Sequence, residues 1–507
     1  MASVLVVGGG VSGLSAGIFC LLKGFDVKIC EKHSVAGGNL TGWKRNGYYI
    51  DNCLHWLVGT NPNAKAFNDM KLLGVIETDT MIYQPECLYT VSVAGKKASL
   101  YRDLDKTRKN LINQFPEDEE EIVKLFDAIE LIQGFQHVKG YNHNEANSFI
   151  EVIKNIPALA EYYRLDIKGL AKRFKSPVMK HFISDMMMTA DFTCLFFMVT
   201  VAAFCGDNAG IPNGGSMEMA VRMSNRFQNL GGELMYGKEA KQILINNHKA
   251  VGVLFDDNTF ETADYIISSV DINILYEELL KRKLPDKLFK LSKKENEAVF
   301  SSFQLAFSCD SVDLPFEDTY IISKFTEAVH KSEINENKKY LNRQIIITEY
   351  GRCPQFSPEG HNVLQAMIYC SKAEARKFIM LKEKNPAGYK KLKNRLAYEI
   401  KEMIEEELPE IEGHLDIIDI WTPATYKRYV GSKNGTWMGF VLPSGKLPQL
   451  SGCRVKGVDN LFVSSQWIKA PGGLPIAISV GKKTANTIYK IDKINRKKHY
   501  KNSFVNS

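Results

Sequence analysis

The chain opens on a short β-branched run, Ser3-Val4-Leu5-Val6-Val7, which breaks at once into Gly8-Gly9-Gly10. A brief continuous apolar run bounded by glycine predicts a strand buried on both faces, and the small and apolar residues running on to about Lys23 predict a helix. Gly24 ends that helix, and Phe25 to Cys30 predicts a second strand closing on Glu31. Further on, Met217 to Leu230 carries an amphipathic pattern, and Ala240 to Ile245, Ala250 to Phe255 and Tyr265 to Asp271 predict strands between turn residues. The region 76–210 reads as mostly helical, with Leu104 to Phe115, Glu119 to Phe135 and Val178 to Met188 as candidates. The region 296–415 mixes strands (Phe303 to Phe307, Gln344 to Glu349, Asn362 to Ile368) with a charged helix from about Pro386 to Glu407. No repeat or low-complexity tract interrupts these elements.

The first strand, helix and second strand carry chemistry. Gly8, Gly10 and Gly13 fit G-x-G-x-x-G, with Val11 and Ser12 inside the motif. Gly8 permits the tight turn, Gly10 lets backbone approach a pyrophosphate, and Gly13 lets the helix lie close to the strand, so that the helix N-terminus faces the phosphates. Glu31 follows Gly10 by 21 residues, where a carboxylate accepts from the ribose hydroxyls of an adenosine. Gly13-Leu14-Ser15-Ala16-Gly17 also matches the G-x-S-x-G pattern of serine hydrolases. That nucleophile must sit on the strand-to-helix turn, and here the turn is at Gly8 to Gly10, which leaves Ser15 inside the helix as a packing residue.

Beyond Glu31 come Lys32, the pair Gly37-Gly38, Asn39 and Leu40, and then Asp51-Asn52-Cys53-Leu54-His55-Trp56-Leu57. A second glycine pair after the acidic strand end, followed by Asp-x-x-x-His-Trp-Leu, resembles the FAD-containing amine oxidase and phytoene desaturase superfamily, including its retinol-saturase-like members. Two later blocks resemble the same superfamily: Ile211-Pro212-Asn213-Gly214-Gly215-Ser216 with the strands after it, and Asp459 to Gly481. Asn39 stands where many members carry Arg, Cys53 where many carry Gly, and Ser465-Gln466 where relatives often have Gly-Asp or Gly-Ala.

The resemblance covers roughly 1–75, 210–295 and 415–495. It implies an α/β fold: a Rossmann-type (GR2-like) FAD-binding domain assembled from those three segments, a discontinuous α+β substrate domain from 76–209 and 296–414, and a basic tail, 496–507. It implies FAD as cofactor, with Gly8, Gly10, Val11, Ser12, Gly13, Glu31, Lys32, Gly37, Gly38, Asn39 and Leu40 around its nucleotide half. Ala240 would meet the adenine edge through backbone, and Ser269 would join from the middle block. His55 and Trp56, read otherwise as a core histidine and an aromatic wall, would lie near the flavin with Trp467, Leu474, Pro475 and Ile476. The implied activity is hydride transfer between flavin and an apolar, polyene or lipid-like substrate, with the cofactor carrying the chemistry and no catalytic side chain assigned. An amine-oxidase-like enzyme and a redox-silent carrier of prenylated ligands remain the alternatives on this fold.

Composition narrows the rest. A chain of 507 residues with 45% hydrophobic and 24% charged positions has room for two to four domains and a large core, which excludes disorder or a disulfide scaffold as its organising theme. Its ten cysteines form no CxxC pair and its ten histidines no HExxH, so no metal is expected. The net charge of +7 comes without any nucleic-acid-binding motif. The N-terminus lacks a basic leader, which predicts a cytoplasmic protein, and the longest apolar run, Leu195 to Cys205, is 11 residues, too short to span a bilayer. That run, with Met186, Met187 and Met188 before it, reads as a core helix or as the wall of a hydrocarbon tunnel. The tail, with Lys490, Lys493, Arg496, Lys497, Lys498 and Lys501, reads as a solvated end or as a site of peripheral contact with anionic lipid. Oligomeric state carries no signal.

Overall fold

The computed structural model describes residues 1–53, 55–136, 156–187, 189, 191–281, 287–294, 298–310, 313–323, 344–353, 355–446 and 452–505. Leu54, Met188 and the last two residues, named above, lie outside them.

Strand β1 (Ser3–Val7), helix α1 (Val11–Leu21) and strand β2 (Asp26–Glu31) form where the hydrophobic pattern places them. Strand β1 is the middle of a five-stranded, all-parallel sheet ordered Glu233–Tyr236, β2, β1, Tyr265–Ser268, Leu461–Val463. Val4 to Val7 are almost fully buried because helices cover both faces of such a sheet. Helix α1 is sandwiched between the sheet and the C-terminal helix Leu474–Val505. At that crossing Gly481 lies so near that a Cβ there would come within 2.6 Å of the Ser15 Cβ. Ser15 is wholly buried at this contact, in keeping with a packing role. The tail is not a separate element: from 496 to 505 it continues the C-terminal helix.

A seven-stranded sheet makes the second layer, ordered Leu415–Trp421, Ser302–Asp310, His361–Tyr369, Ile345–Glu349, Thr319–Ser323, Cys87–Val93, Lys96–Tyr101. Two features differ from the pattern reading. Cys87 to Tyr101, in the region read as mostly helical, is a β-hairpin whose first strand pairs in parallel with Thr319–Ser323, a partner more than 200 residues away. Leu415–Trp421, counted with the nucleotide-binding segments, pairs instead with Ser302–Asp310 and belongs to this sheet. The helices Leu104–Gln114, Glu119–Gln136, Pro177–Ser184 and Pro386–Glu407 match their expected spans closely. The apolar run forms a helix, Cys194–Cys205, buried nearly all round. Among the described residues no helix is long and apolar enough to cross a membrane, and no group of three metal-ligating side chains comes together.

The seven-stranded sheet buries two carboxyls without enough cations. Asp318 and Glu349 are almost wholly buried, and Arg352 is shared between Glu349, at 3.4 Å, and Glu317, at 3.8 Å. Burial pushes Asp318 up to about 8 and Glu349 up to about 7. A carboxyl raised from its unfolded value near 4 binds its proton more tightly when folded. Its contribution to stability is therefore complete below about pH 4 and is lost as pH rises through 8. Asp318→Asn keeps the oxygen that accepts from the Thr319 hydroxyl at 2.9 Å and removes the titration. The variant is expected to melt a few degrees above the wild type at pH 8.5 (roughly 3 °C) and within about 1 °C of it at pH 4.5. Equal melting shifts at both pH values would refute the assignment.

Candidate functional site

The loop between β1 and α1 is built by glycine. Gly8 has φ of 99°, and a Cβ on Gly13 would sit 2.1 Å from the Gly8 carbonyl oxygen. Only hydrogen at Gly13 lets α1 start this close to the strand. Gly10 is different: a Cβ there would meet nothing nearer than 3.8 Å, so the protein itself does not demand glycine at this position. The second glycine turn lies against the first, with Gly37 N–H donating to the Gly9 carbonyl at 2.8 Å and Gly37 and Gly38 at φ of 125° and 62°. No side chain caps the N-terminus of α1, and no acidic residue stands in its first turn. Its free N–H groups and partial positive charge therefore face the space in front of the two glycine turns.

That space is the glycine-loop end of a cavity of about 860 Å³. Every residue that the resemblance places around the cofactor lines it except Gly13: Gly8, Gly10, Val11 and Ser12; Glu31 and Lys32; Gly37, Gly38, Asn39 and Leu40; His55 and Trp56; Ala240 and Ser269; Trp467, Leu474, Pro475 and Ile476. Gly13 lies behind the wall, at the strand–helix contact. Several of the others also hold the wall itself. Glu31 accepts from Gly9 N–H at 2.8 Å and from His33 N–H at 3.0 Å, so it props the glycine loop as well as facing the cavity. The Ser269 hydroxyl donates to the Gly8 carbonyl at 2.7 Å, and Ser12 and Ser464 share a hydroxyl–hydroxyl bond of 3.0 Å. Asn39 accepts from Asn52 at 3.0 Å, and its own amide reaches the Trp437 carbonyl at 3.5 Å. Asp51 lies beneath, accepting from Ser216 N–H at 2.7 Å and from the Ser216 hydroxyl at 2.6 Å, which ties the first family-like block to the second.

The far part of the cavity has a different chemistry. Gly472 and Gly473, at φ of 93° and 85°, turn the chain into the C-terminal helix, whose first residues face the cavity; Gln466 accepts from Gly473 N–H at 3.0 Å and donates to the Trp437 carbonyl at 3.0 Å. Beyond lie Met186, Met187, Leu195, Phe196, Val199 and Leu442, with Trp56, Tyr369 and Trp437. The apolar helix Cys194–Cys205 is thus both core and wall: Phe197, Met198 and Val201 are buried in the core, while Phe196 and Val199 turn to the cavity. His55 packs near Trp437 with ring centroids 6.4 Å apart, and Tyr369 meets Trp437 edge to face at 6.0 Å. Burial lowers His55 to about 4, so its imidazole is neutral at physiological pH, and burial keeps the Tyr369 phenol protonated. The charged lining residues described are Glu31, Lys32, Lys238, Glu239, Asp271, Glu278, Lys427 and Lys433; Lys238 N–H donates to the Glu31 carbonyl at 3.0 Å and Lys433 N–H to Asp271 at 3.2 Å, and none comes from the lining stretches 186–200 and 436–442 that supply the apolar part.

Tyr369, Trp437 and the stretch from Lys427 to Lys433 escape sequence reading. Tyr369 and Trp437 come from different sheets and carry no motif, and only the packing of the layers brings their rings together.

A two-part cavity of this form, with paired glycine turns, a free helix end and a buried carboxylate at one end and an apolar arm at the other, fits a flavin cofactor. The model for flavin containing amine oxidoreductases matches residues 11–488. The chain belongs to that family. This family member is a flavin-dependent oxidoreductase. It is 21% identical to the 4,4'-diaponeurosporene oxygenase of Staphylococcus haemolyticus (strain JCSC1435), with 96% of each chain covered. It is 22% identical to the chloroplastic prolycopene isomerase of Daucus carota, over 94% of this chain and 78% of that one. Its fold is shared with putrescine oxidase bound to putrescine, at a TM-score of 0.60 and 16% identity, with 96% of this chain and 98% of that one covered.

Proposed function

We propose that this flavoenzyme holds FAD and moves a hydride between the flavin and a carbon of an uncharged, polyene-like substrate. The single observation that carries the reading is the division of one cavity into a glycine-walled end bearing Glu31 and an apolar arm without charge among its described lining residues. Relatives named for carotenoid chemistry support the substrate class. In this reading the α1 N-terminus and the Gly8–Gly10 and Gly37–Gly38 turns receive the pyrophosphate, and Glu31 accepts from the adenosine ribose. When bound, the flavin supplies the hydride chemistry. The start of the C-terminal helix, with Gly473 held by Gln466, would offer its positive end to the charge that collects on a bound flavin when it is reduced. Met186, Met187, Phe196 and Val199 exclude water and orient a flexible chain, and the neutral His55 adds no fixed charge beside it. A cationic amine would enter an apolar arm with no carboxylate among its described lining residues, at a heavy desolvation cost, which disfavours amine oxidation.

The test is direct. Purified protein is expected to carry FAD, identified by mass after heat release, with visible absorbance bleached by dithionite. It is also expected to bind an acyclic polyene in detergent with quenching of tryptophan emission, and to release no peroxide with putrescine. Protein that retains no FAD after equilibrium dialysis would end this reading.

The exposed Lys490, Lys493, Arg496 and Lys497 on the C-terminal helix support peripheral contact with anionic lipid, the phase that would hold such a substrate. Co-sedimentation with phosphatidylserine vesicles at low salt, lost above about 0.5 M salt, is the expected result; no sedimentation at low salt would refute it.

A further inference from the structure

The segment 428–433 bridges two walls of the cavity. It leaves the helix Pro423–Val430 at Gly431, and its residues from Tyr429 to Lys433 line the cavity while Arg428 and Tyr429 face solvent. One end is fastened beside Glu31: His33 Nε2 donates to the Tyr429 carbonyl at 2.6 Å, and Lys32 Nζ reaches the Arg428 carbonyl at 3.5 Å. The other end is fastened across the cavity, on the segment after Tyr265–Ser268. There Lys433 N–H donates to Asp271 Oδ2 at 3.2 Å and the Lys433 ammonium pairs with Glu277, which Lys293 also holds at 3.1 Å. Gly431 lies between the two fastenings at φ of 73°, where a Cβ would meet nothing but the end of the Lys32 side chain, so the backbone can turn there; beyond the strap, Gly435 is held against Pro423, with its carbonyl accepting from Ser301 N–H at 3.1 Å.

We infer that residues 428–433 form a strap over the glycine-loop end of the cavity, which must lift for a flavin nucleotide to enter or leave. This rests on the FAD reading above. Val430 packs on the core and Ser432 is buried, with its hydroxyl accepting from Thr436 N–H at 2.7 Å, so these two must come out as the strap lifts; apart from the Asp271 contact, the fastenings at its two ends are half-exposed ion pairs or single hydrogen bonds, weak enough to open. A strap differs from a mere binding contact in a way that kinetics resolves. Loosening a gate speeds entry and exit together, whereas deleting a contact speeds exit alone.

The experiment measures FAD association with apoprotein and FAD release from holoprotein by flavin fluorescence, for wild type, Glu277→Gln and His33→Ala. Each variant loosens one end of the strap and leaves the glycine turns untouched. Both rates are expected to rise about five-fold in each variant, with Kd changed less than about two-fold. Trypsin is expected to cut holoprotein after Lys427 or Arg428 faster in the variants than in wild type. Faster release with unchanged association, or rates within two-fold of wild type in both variants, overturns the strap while leaving the FAD reading intact. A wild type that binds no FAD overturns both.

Discussion

Gly10→Ala is expected to leave the apoprotein folded, with its melting temperature within about 1 °C of wild type, and to weaken FAD binding by at least about 100-fold in equilibrium dialysis. The asymmetry follows from what each position meets. A Cβ at Gly10 finds Gly38 Cα at 3.8 Å and the Gly37 carbonyl oxygen at 4.0 Å, ordinary contacts, and its φ of −70° suits any residue. The methyl would instead project into the space where backbone must approach the pyrophosphate, so the loss falls on the ligand. Gly13→Ala should damage both properties, because its Cβ would stand 2.1 Å from the Gly8 carbonyl oxygen and 2.7 Å from the Ser269 hydroxyl, neither at the end of a flexible chain. Gly24→Ala is the control: its φ of 80° makes alanine strained, but nothing lies within 4 Å, so stability falls by about 1 kcal/mol while FAD binding holds. Wild-type affinity in Gly10→Ala would refute the placement of the phosphates.

The second large effect lies in the apolar arm. Val199→Asp is expected to keep FAD and to lose binding of an acyclic polyene by at least about 100-fold, read as quenching of tryptophan emission, since an unpaired carboxyl in apolar surroundings is costly in either protonation state. Val199 is half-buried only because it faces the cavity, one turn from Phe196 on the same helix. Val199→Ala, which removes bulk and adds no polarity, should change affinity less than about ten-fold. If Val199→Asp still binds the polyene like wild type, the arm is not the substrate site.

Legibility followed the range of the interactions. Gly8, Gly10, Gly13 and Glu31 could be assigned because a strand, a turn and a helix within 31 residues impose their roles locally. The glycine pairs at 37–38 and 472–473 stood out only through the resemblance to flavoproteins, and φ is positive at all four. The hairpin Cys87–Tyr101 was not, although Leu88, Val91 and Val93 are apolar enough for a strand. Its first strand is fixed by a parallel partner at 319–323, and no local pattern reports such a pairing. Likewise Leu415–Trp421 follows its partner strand at 302–310 rather than its neighbours in sequence. The dual character of Glu31, which faces the cavity and also braces Gly9, was invisible for a related reason: a carboxylate's second hydrogen bond depends on which amides the fold brings near.

The amino-acid order alone specified the nucleotide-binding unit, because glycine at a fixed spacing and an acid at a strand end act through covalent neighbours over a few ångströms. Only the tertiary structure decided the apolar arm, the aromatic group around Trp437 and the strap at 428–433. Those features join residues up to about 400 positions apart, and their geometry exists only once two sheets and the helices between them have packed.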